Sequence, residues 1–409
     1  MTASDPAGCH RPRMEGWTPT AAALDALRAT TDPLADAVVD AVYRDGHLAE
    51  VNRLIDVMVR NDSVPPAQLP PAARGYFAET AALPPWVDRA QVALGQDVFA
   101  RHGVLVLAAL LTASLPECYT MHHGVKVLAA TRQLERHAKR RIFETAQMVI
   151  DVMSPGGVDP DGAGVRSAQK VRLLHAAMRH LLLAPTREAH EELQGVRSLG
   201  AEMGRTPWDP AVDGPPINHE DQLFTLLTFS YVTLRSLHRM GVELTEAERE
   251  AYLHRWNVVG AMMGLEHAVL PRTFADAAET FYAIQRRQSA PSDDGRALTH
   301  ALVNAVAQTL GFPRVSRAFT AVVIRRMVEP ATADGLGVAR SGPLAQAAVG
   351  VALDLVDFVS FALNRADDVV PALNRVLVWG GERAVRALGD LDRGEGRQRF
   401  HLPPSLKGR

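Results

Sequence analysis

The sequence predicts an all-α protein folded as a single large multi-helix domain. Three observations predict it. Apolar residues recur with the 3.6-residue period of a helix through most of the 409 residues. Strand-like alternation is rare, and no internal repeat or low-complexity tract interrupts the pattern. Helix-start chemistry also recurs: Asn218 with Asp221 three residues on, and Thr245 with Glu248 as a capping box.

Taken in order, residues 1–20 read as an N-terminal tail, 21–390 as the domain and 391–409 as a polar C-terminal tail. "TAAALDALRATTDPLADAVVDAVYRDG" gives two helices with a break at Asp32-Pro33, and "HLAEVNRLIDVMVRN" continues in the same manner. Proline-rich "VPPAQLPPAARGYF" and "LPPWVD" predict linkers and turn entries. From Asp88 to Met153 the pattern is almost continuously helical, broken at "SLPECY". "SPGGVDPDGAGV" (Ser154–Val165) is the clearest loop, and a helix follows from Arg166 to Leu183. "RTPWDPAVDGPPIN" is an irregular connection that ends on the cap Asn218; its helix is expected to stop at Gly241. Thr245 starts the next helix, and "SAPSDDG" and "PATADGLG" mark later loops.

Composition narrows the function. Hydrophobic residues are 47% and charged residues 22%, with a net charge of −2. That balance is ordinary for a soluble protein and offers no basic surface for nucleic acid. Two cysteines, Cys9 and Cys118, give neither a disulfide framework nor a metal spacing, and no CxxCH exists to attach haem covalently. The longest apolar run, Gly103–Leu115, is short for a membrane span and reads as a core helix. The N-terminus shows no apolar signal region, so the expected location is cytoplasmic, with no membrane span. HExxH, GxGxxG, P-loop, GxSxG and EF-hand patterns are absent, and the His122-His123 pair reads as a turn or cap feature.

Two helices stand out. In "VRLLHAAMRHLL" (Val171–Leu182), His175 lies on an apolar stripe of Ala168, Val171, Met178 and Leu182, with Arg172 and Arg179 beside it. One reading is a core histidine satisfied by a carbonyl. The other is a haem ligand, with apolar residues against the macrocycle and arginines near its propionates. The preceding helix carries "RRIFETAQMV", where Arg141 and Thr145 share a face extended by Met148 and Val152. Thr145 is about 12 Å from its helix end and His175 about 15 Å from its helix start. Run antiparallel, the two would lie at nearly the same height. The intervening loop is long enough to hold the helices apart around a flat cofactor.

Together these segments resemble the latex clearing protein (rubber oxygenase) family and its MpaB-like relatives. The resemblance rests on "RRIFETAQMV", on "KVRLLHAAMRH", and on the 30-residue gap between Thr145 and His175. Supporting segments lie at 83–103, 214–230 and 252–271, so residues 80–275 match best. It implies an all-helical oxygenase holding b-type haem between two antiparallel helices. By it, His175 is the proximal ligand of the haem iron, Arg141 and Thr145 are the distal pair, and Arg172, Arg179 and Met178 are cofactor contacts. His180 matches a second histidine of structural kind.

Rubber-cleaving members carry a lysine where this chain has Glu144, which would leave the distal site open or water-bound. Glu144 would then pair with Arg140 or Arg141, or pass protons. The upstream acidic residue of those members falls at Val125. Without an export signal, the substrate is expected to be a small, largely apolar, unsaturated molecule rather than rubber, oxidised with O2 from an unknown electron donor. Two alternatives stay open: a peroxide-using haem peroxidase or peroxygenase, with Arg141 and Glu144 as the acid–base pair, and a non-catalytic binder of haem or a hydrophobic ligand.

Overall fold

The structure, a computed structural model, describes residues 17–44, 71–130, 138–183, 208–310 and 313–340, with isolated positions to 350. Both predicted tails, apart from residues 17–20, and the segment "HLAEVNRLIDVMVRN" lie outside the described residues. Among the described residues the only β feature is an isolated bridge between Met121 and Ser289. The all-α expectation holds.

The first helices are α1 (Ala21–Ala29) and α2 (Pro33–Arg44), broken at Asp32-Pro33 as predicted. A proline at the first helical position loses no hydrogen bond, and this explains one departure. Residues expected as linker form α3 (Pro71–Glu79), which starts on Pro71. The same device turns the expected loop "PATADGLG" into a short helix at Pro330–Gly335.

Helix α4 (Arg89–Ala109) does not stop where its apolar run suggests. It passes through a π-helical turn, Leu110–Ser114, and continues to Cys118. Pro116 explains the wide turn: it has no N–H to give, and its ring crowds the carbonyl a turn earlier. The helical run Arg89–Cys118 spans 30 residues with a window of mean hydropathy 1.8, 56% of it buried. By length and composition it could cross a membrane, a test that a buried core helix also passes; the helix is longer than the 13-residue apolar run.

Helices α5 (Gly124–Ala130), α6 (Ala138–Met153) and α7 (Ala163–Leu183) come next. A single turn, α8 (Pro210–Asp213), precedes α9 (His219–Phe229). The Asn218 cap is present, its side chain accepting from the Asp221 N–H. The predicted helix to Gly241 is split at Ser230, after which α10 (Tyr231–Arg239) begins. Thr245 and Glu248 form the expected capping box of α11 (Glu246–Met262). The described chain ends with α12 (Phe274–Gln288), α13 (Asp293–Leu310), α14 (Pro313–Met327) and the short α15 (Pro330–Gly335).

The main core gathers α4, α6, α9–α14 and the ends of α1 and α5 around stacked aromatics; Phe224 and Phe281 lie 4.9 Å apart. A second apolar cluster joins α2, α3, α5 and α7 through Val38, Val42, Tyr76, Val127, Leu173 and Leu181. Helices α6 and α7 pack together but send their apolar faces into different clusters. Their shared side is therefore free to carry polar groups.

Candidate functional site

The loop between α6 and α7 sets the register of the site. It is folded too tightly for any side chain at three of its glycines. A Cβ on Gly157 would lie 2.1 Å from the Asp151 carbonyl oxygen, and one on Gly162 would lie 2.3 Å from that of Gly156. At Gly164 it would meet the Val152 Cα at 2.7 Å. Helix α7 thus begins in backbone contact with the end of α6 and runs back along it. This corrects the expected register. His175 is 11 residues beyond Gly164, and the residue 11 before Val152 is Arg141, not Thr145. At 1.5 Å per residue each lies about 16 Å from the crossing.

Val152, Met148, Thr145 and Arg141 share one stripe on α6, and Gly164, Ala168, Val171 and His175 share one on α7; Val152 and Met148 pack in the main core, and Ala168 against α4 and α11. His175 is half-buried by surface area, with its Nδ1 fully closed to solvent. Its Nδ1 is buried with no hydrogen-bond partner, and among the described residues neither ring nitrogen is engaged. Burial, helped by the charges of Arg179 and Arg141, pushes its pKa down to about 3. The imidazole is neutral at physiological pH, the form that ligates a metal. His122 and His219 share the feature of a buried, unpartnered ring nitrogen, so it permits ligation without singling out His175. The arrangement fits an iron ligand.

Arg141 is partly exposed and pairs with Glu144 at 3.5 Å, one helical turn on. Glu144 itself lies on the surface. Arg140's side chain is outside the described atoms. The Thr145 hydroxyl donates to the Arg141 carbonyl oxygen at 2.9 Å. Its proton is committed to the helix, so toward other groups it can accept but not donate without rotating.

The other expected cofactor contacts are engaged elsewhere. Arg172 forms a two-pronged ion pair with Asp32, the second prong at 2.8 Å. Arg179 is held by Asp36 at 2.7 Å and by the Ile217 carbonyl oxygen at 3.2 Å. Both guanidinium groups are paired with carboxylates, Asp32 just before α2 and Asp36 within it. Met178 is buried in the cluster with α2, α3 and α5. His180 sits near Asp40 of α2 at 3.3 Å. These four residues dock α7 on α2 and so fix His175 from behind.

The structure adds residues that the sequence reading passed over. Tyr119, at the end of the Pro116-interrupted helix, is almost fully buried with no partner for its hydroxyl. Burial raises its pKa, against the pull of the Arg141 charge. His122 has a buried, unpartnered Nδ1 on the following turn. Val125 lies in the core, and the nearest acid before it, Glu117, is consumed by Arg235 at 2.8 Å and Gln285 at 2.9 Å. Desolvation raises the Glu117 pKa despite the arginine. Arg255, 1% exposed, gives its guanidinium to the carbonyl oxygens of Val152, Ser154 and Val92, tying the end of α6 to α4. Burial without a carboxylate lowers its pKa to about 10.

The sequence profile of the family described as "ER-bound oxygenase mpaB/B'/Rubber oxygenase, catalytic domain" matches residues 96–358. The chain belongs to this family. The match runs past residue 275, further toward the C-terminus than the segments that carry the resemblance. Within the family, the rubber oxygenase of Streptomyces sp. (strain K30) is 26% identical over 375 residues, 90% of this chain and 84% of that protein. The solved structure of latex clearing protein in the closed state superposes with a TM-score of 0.66 at 25% identity, covering 90% of this chain and 92% of that one. Family membership makes this chain an oxygenase, and hence an oxidoreductase.

Proposed function

We propose that the protein is a b-type haem-dependent oxygenase acting with O2 on a small, largely apolar, unsaturated molecule. The observation that carries this reading is the imidazole of His175. Its Nδ1 lacks any partner, and the charge of Arg141 on α6 reaches it. Family membership supports oxygenase chemistry.

His175 would hold the haem iron, and the haem would supply O2 binding and activation. The chain's own residues supply the surroundings. Arg141 would bring a guanidinium whose charge reaches His175 and can stabilise negative charge developing on oxygen. Glu144 holds Arg141 from the surface side, so the cation is aimed rather than free. Thr145 presents its oxygen as an acceptor while its proton stays on the Arg141 carbonyl. Met148 and Val171 add apolar atoms to the two helices. The Nδ1 of His175 is fully closed to solvent, so the substrate must be small enough to enter.

The test is turnover by haem-loaded protein with isotopically labelled O2 and a panel of apolar alkenes. Label in the product, with O2 consumed alongside a reductant, is the expected result. Turnover with hydrogen peroxide and no O2 uptake would replace the oxygenase reading with a peroxygenase. No turnover with any oxidant would leave a binding protein.

A further inference from the structure

Two arginines bracket His175 on α7. Arg172 lies three residues before it and Arg179 four after, so each stands one helical turn away along the same side of the helix. Two bare cations that close to an iron ligand would act on the charge of the metal. Each has its own carboxylate.

The Arg172 partner is the more complete. Asp32 is 2% exposed and takes the guanidinium with both oxygens, Oδ1 accepting from Nη2 at 2.8 Å and Oδ2 from Nε. Three elements close over this pair. The Ala35 N–H of α2 donates to Asp32 Oδ1 at 3.3 Å. The ring of Tyr76 on α3 lies 5.9 Å from the Arg172 Cζ. Gly264, just past α11, has φ of 99°, and a Cβ there would sit 3.0 Å from Asp32 Oδ2 and 3.1 Å from Arg172 Nε. Its bare backbone lets α11 cover the pair at that distance. Arg179 is paired more openly, with Asp36, whose side chain is 27% exposed.

Docking α7 on α2 does not by itself call for buried charge, because apolar residues of similar volume hold helices together with less desolvation. A buried ion pair one turn from a metal ligand does what an apolar contact cannot: it keeps the cation in place and cancels its field.

We propose that Asp32 is a positioning residue that sets the reduction potential of the iron bound by His175, by cancelling the Arg172 charge one turn away. Asp36 acts likewise on Arg179. This rests on the haem reading given above. Ferrous iron carries less positive charge than ferric, so an uncancelled cation raises the potential and an uncancelled anion lowers it.

The test is a redox titration at pH 8, followed by visible absorption, of the haem-loaded wild type, Asp32→Asn, Arg172→Met and the double variant. Asparagine keeps an oxygen for the guanidinium and removes the charge. Asp32→Asn is expected to shift the equilibrium about tenfold toward ferrous iron, or about 59 mV for one electron. Arg172→Met should fall or stay within about twofold of wild type, as the stranded carboxylate keeps its charge or takes up a proton. The double variant should return to within about twofold. A merely structural pair gives a different pattern: both single variants shift the same way, and the double does not recover. That pattern would overturn the proposal, as would an Asp32→Asn potential within about twofold of wild type. If Asp32→Asn does not fold, Asp36→Asn at the more open pair decides, with an upward shift of about threefold expected and no shift contradicting the account. A wild type that takes up no haem overturns the haem reading and this proposal together; a haem-loaded wild type with unmoved potentials overturns this proposal alone.

Discussion

Replacing Arg255 by methionine should cost stability by an amount the structure allows to be worked out. Arg255 donates through Nε at 3.0 Å and Nη2 at 2.8 Å to Val152, through Nη2 at 2.9 Å to Ser154, and through Nη1 at 3.0 Å to Val92. Val152 and Ser154 stand at the end of α6, where helix carbonyls lack intrahelical partners, although that of Ser154 also accepts from the Gly157 N–H at 3.0 Å. Methionine keeps most of the apolar stem and removes every donor. Three buried carbonyls lose a charged donor, at about 1.5–3 kcal/mol each. Against that, the cation is no longer buried. Burial lowers its pKa to about 10 in the folded protein, which is worth roughly 3 kcal/mol. The balance is a net loss of about 3 kcal/mol, or on the order of 3–4 °C in Tm for a protein of this size. Calorimetry reads the loss, and hydrogen exchange should show reduced protection in the last turn of α6. A Tm within about 1 °C of wild type would refute the reasoning, because the cap would then contribute nothing.

The same geometry supports three further predictions. Asp32→Ala leaves Arg172 without its carboxylate and should cost about 3–5 kcal/mol, most of it recovered in Asp32→Ala/Arg172→Met; additive losses in denaturant titrations would contradict the pairing. Gly164→Ala forces a Cβ against the Val152 Cα at 2.7 Å, and overpacking backbone in this way should cost on the order of 2–3 kcal/mol; an unchanged Tm would sink the tight crossing. Burial and the Arg101 charge push His102 down to about 4 from 6.5. Between those values the unfolded chain binds a proton that the folded chain refuses, so stability falls as pH drops through that window. At pH 5 the loss is about 2 kcal/mol, and His102→Gln should be correspondingly less acid-sensitive in melts at pH 5 and 7.

Legibility differed sharply between local and long-range features. The Asn218 and Thr245 caps were readable because each depends on residues three positions apart. Pro71 and Pro330 misled, because a proline that breaks a helix and a proline that starts one are the same residue in the same polar surroundings. The stripe bearing Arg141 and Thr145 was readable from helical spacing. Its register against His175 was not: that depends on three glycines whose backbones touch neighbouring chain, a distance that no spacing encodes. Arg172 and Arg179 looked like anion sites for an external group because Asp32 and Asp36 are 140 or more positions away in sequence. Tyr119 and Arg255 gave no sequence signal, since an unpartnered hydroxyl and a buried guanidinium are defined only by their surroundings.

The central claim is that His175 carries haem. The most direct measurement is the visible absorption spectrum of the purified protein beside His175→Ala, oxidised and dithionite-reduced. The account predicts a Soret band in the wild type that is lost or shifted in the variant. A colourless wild type, even after expression with haem precursor, or a band indifferent to His175, would contradict it.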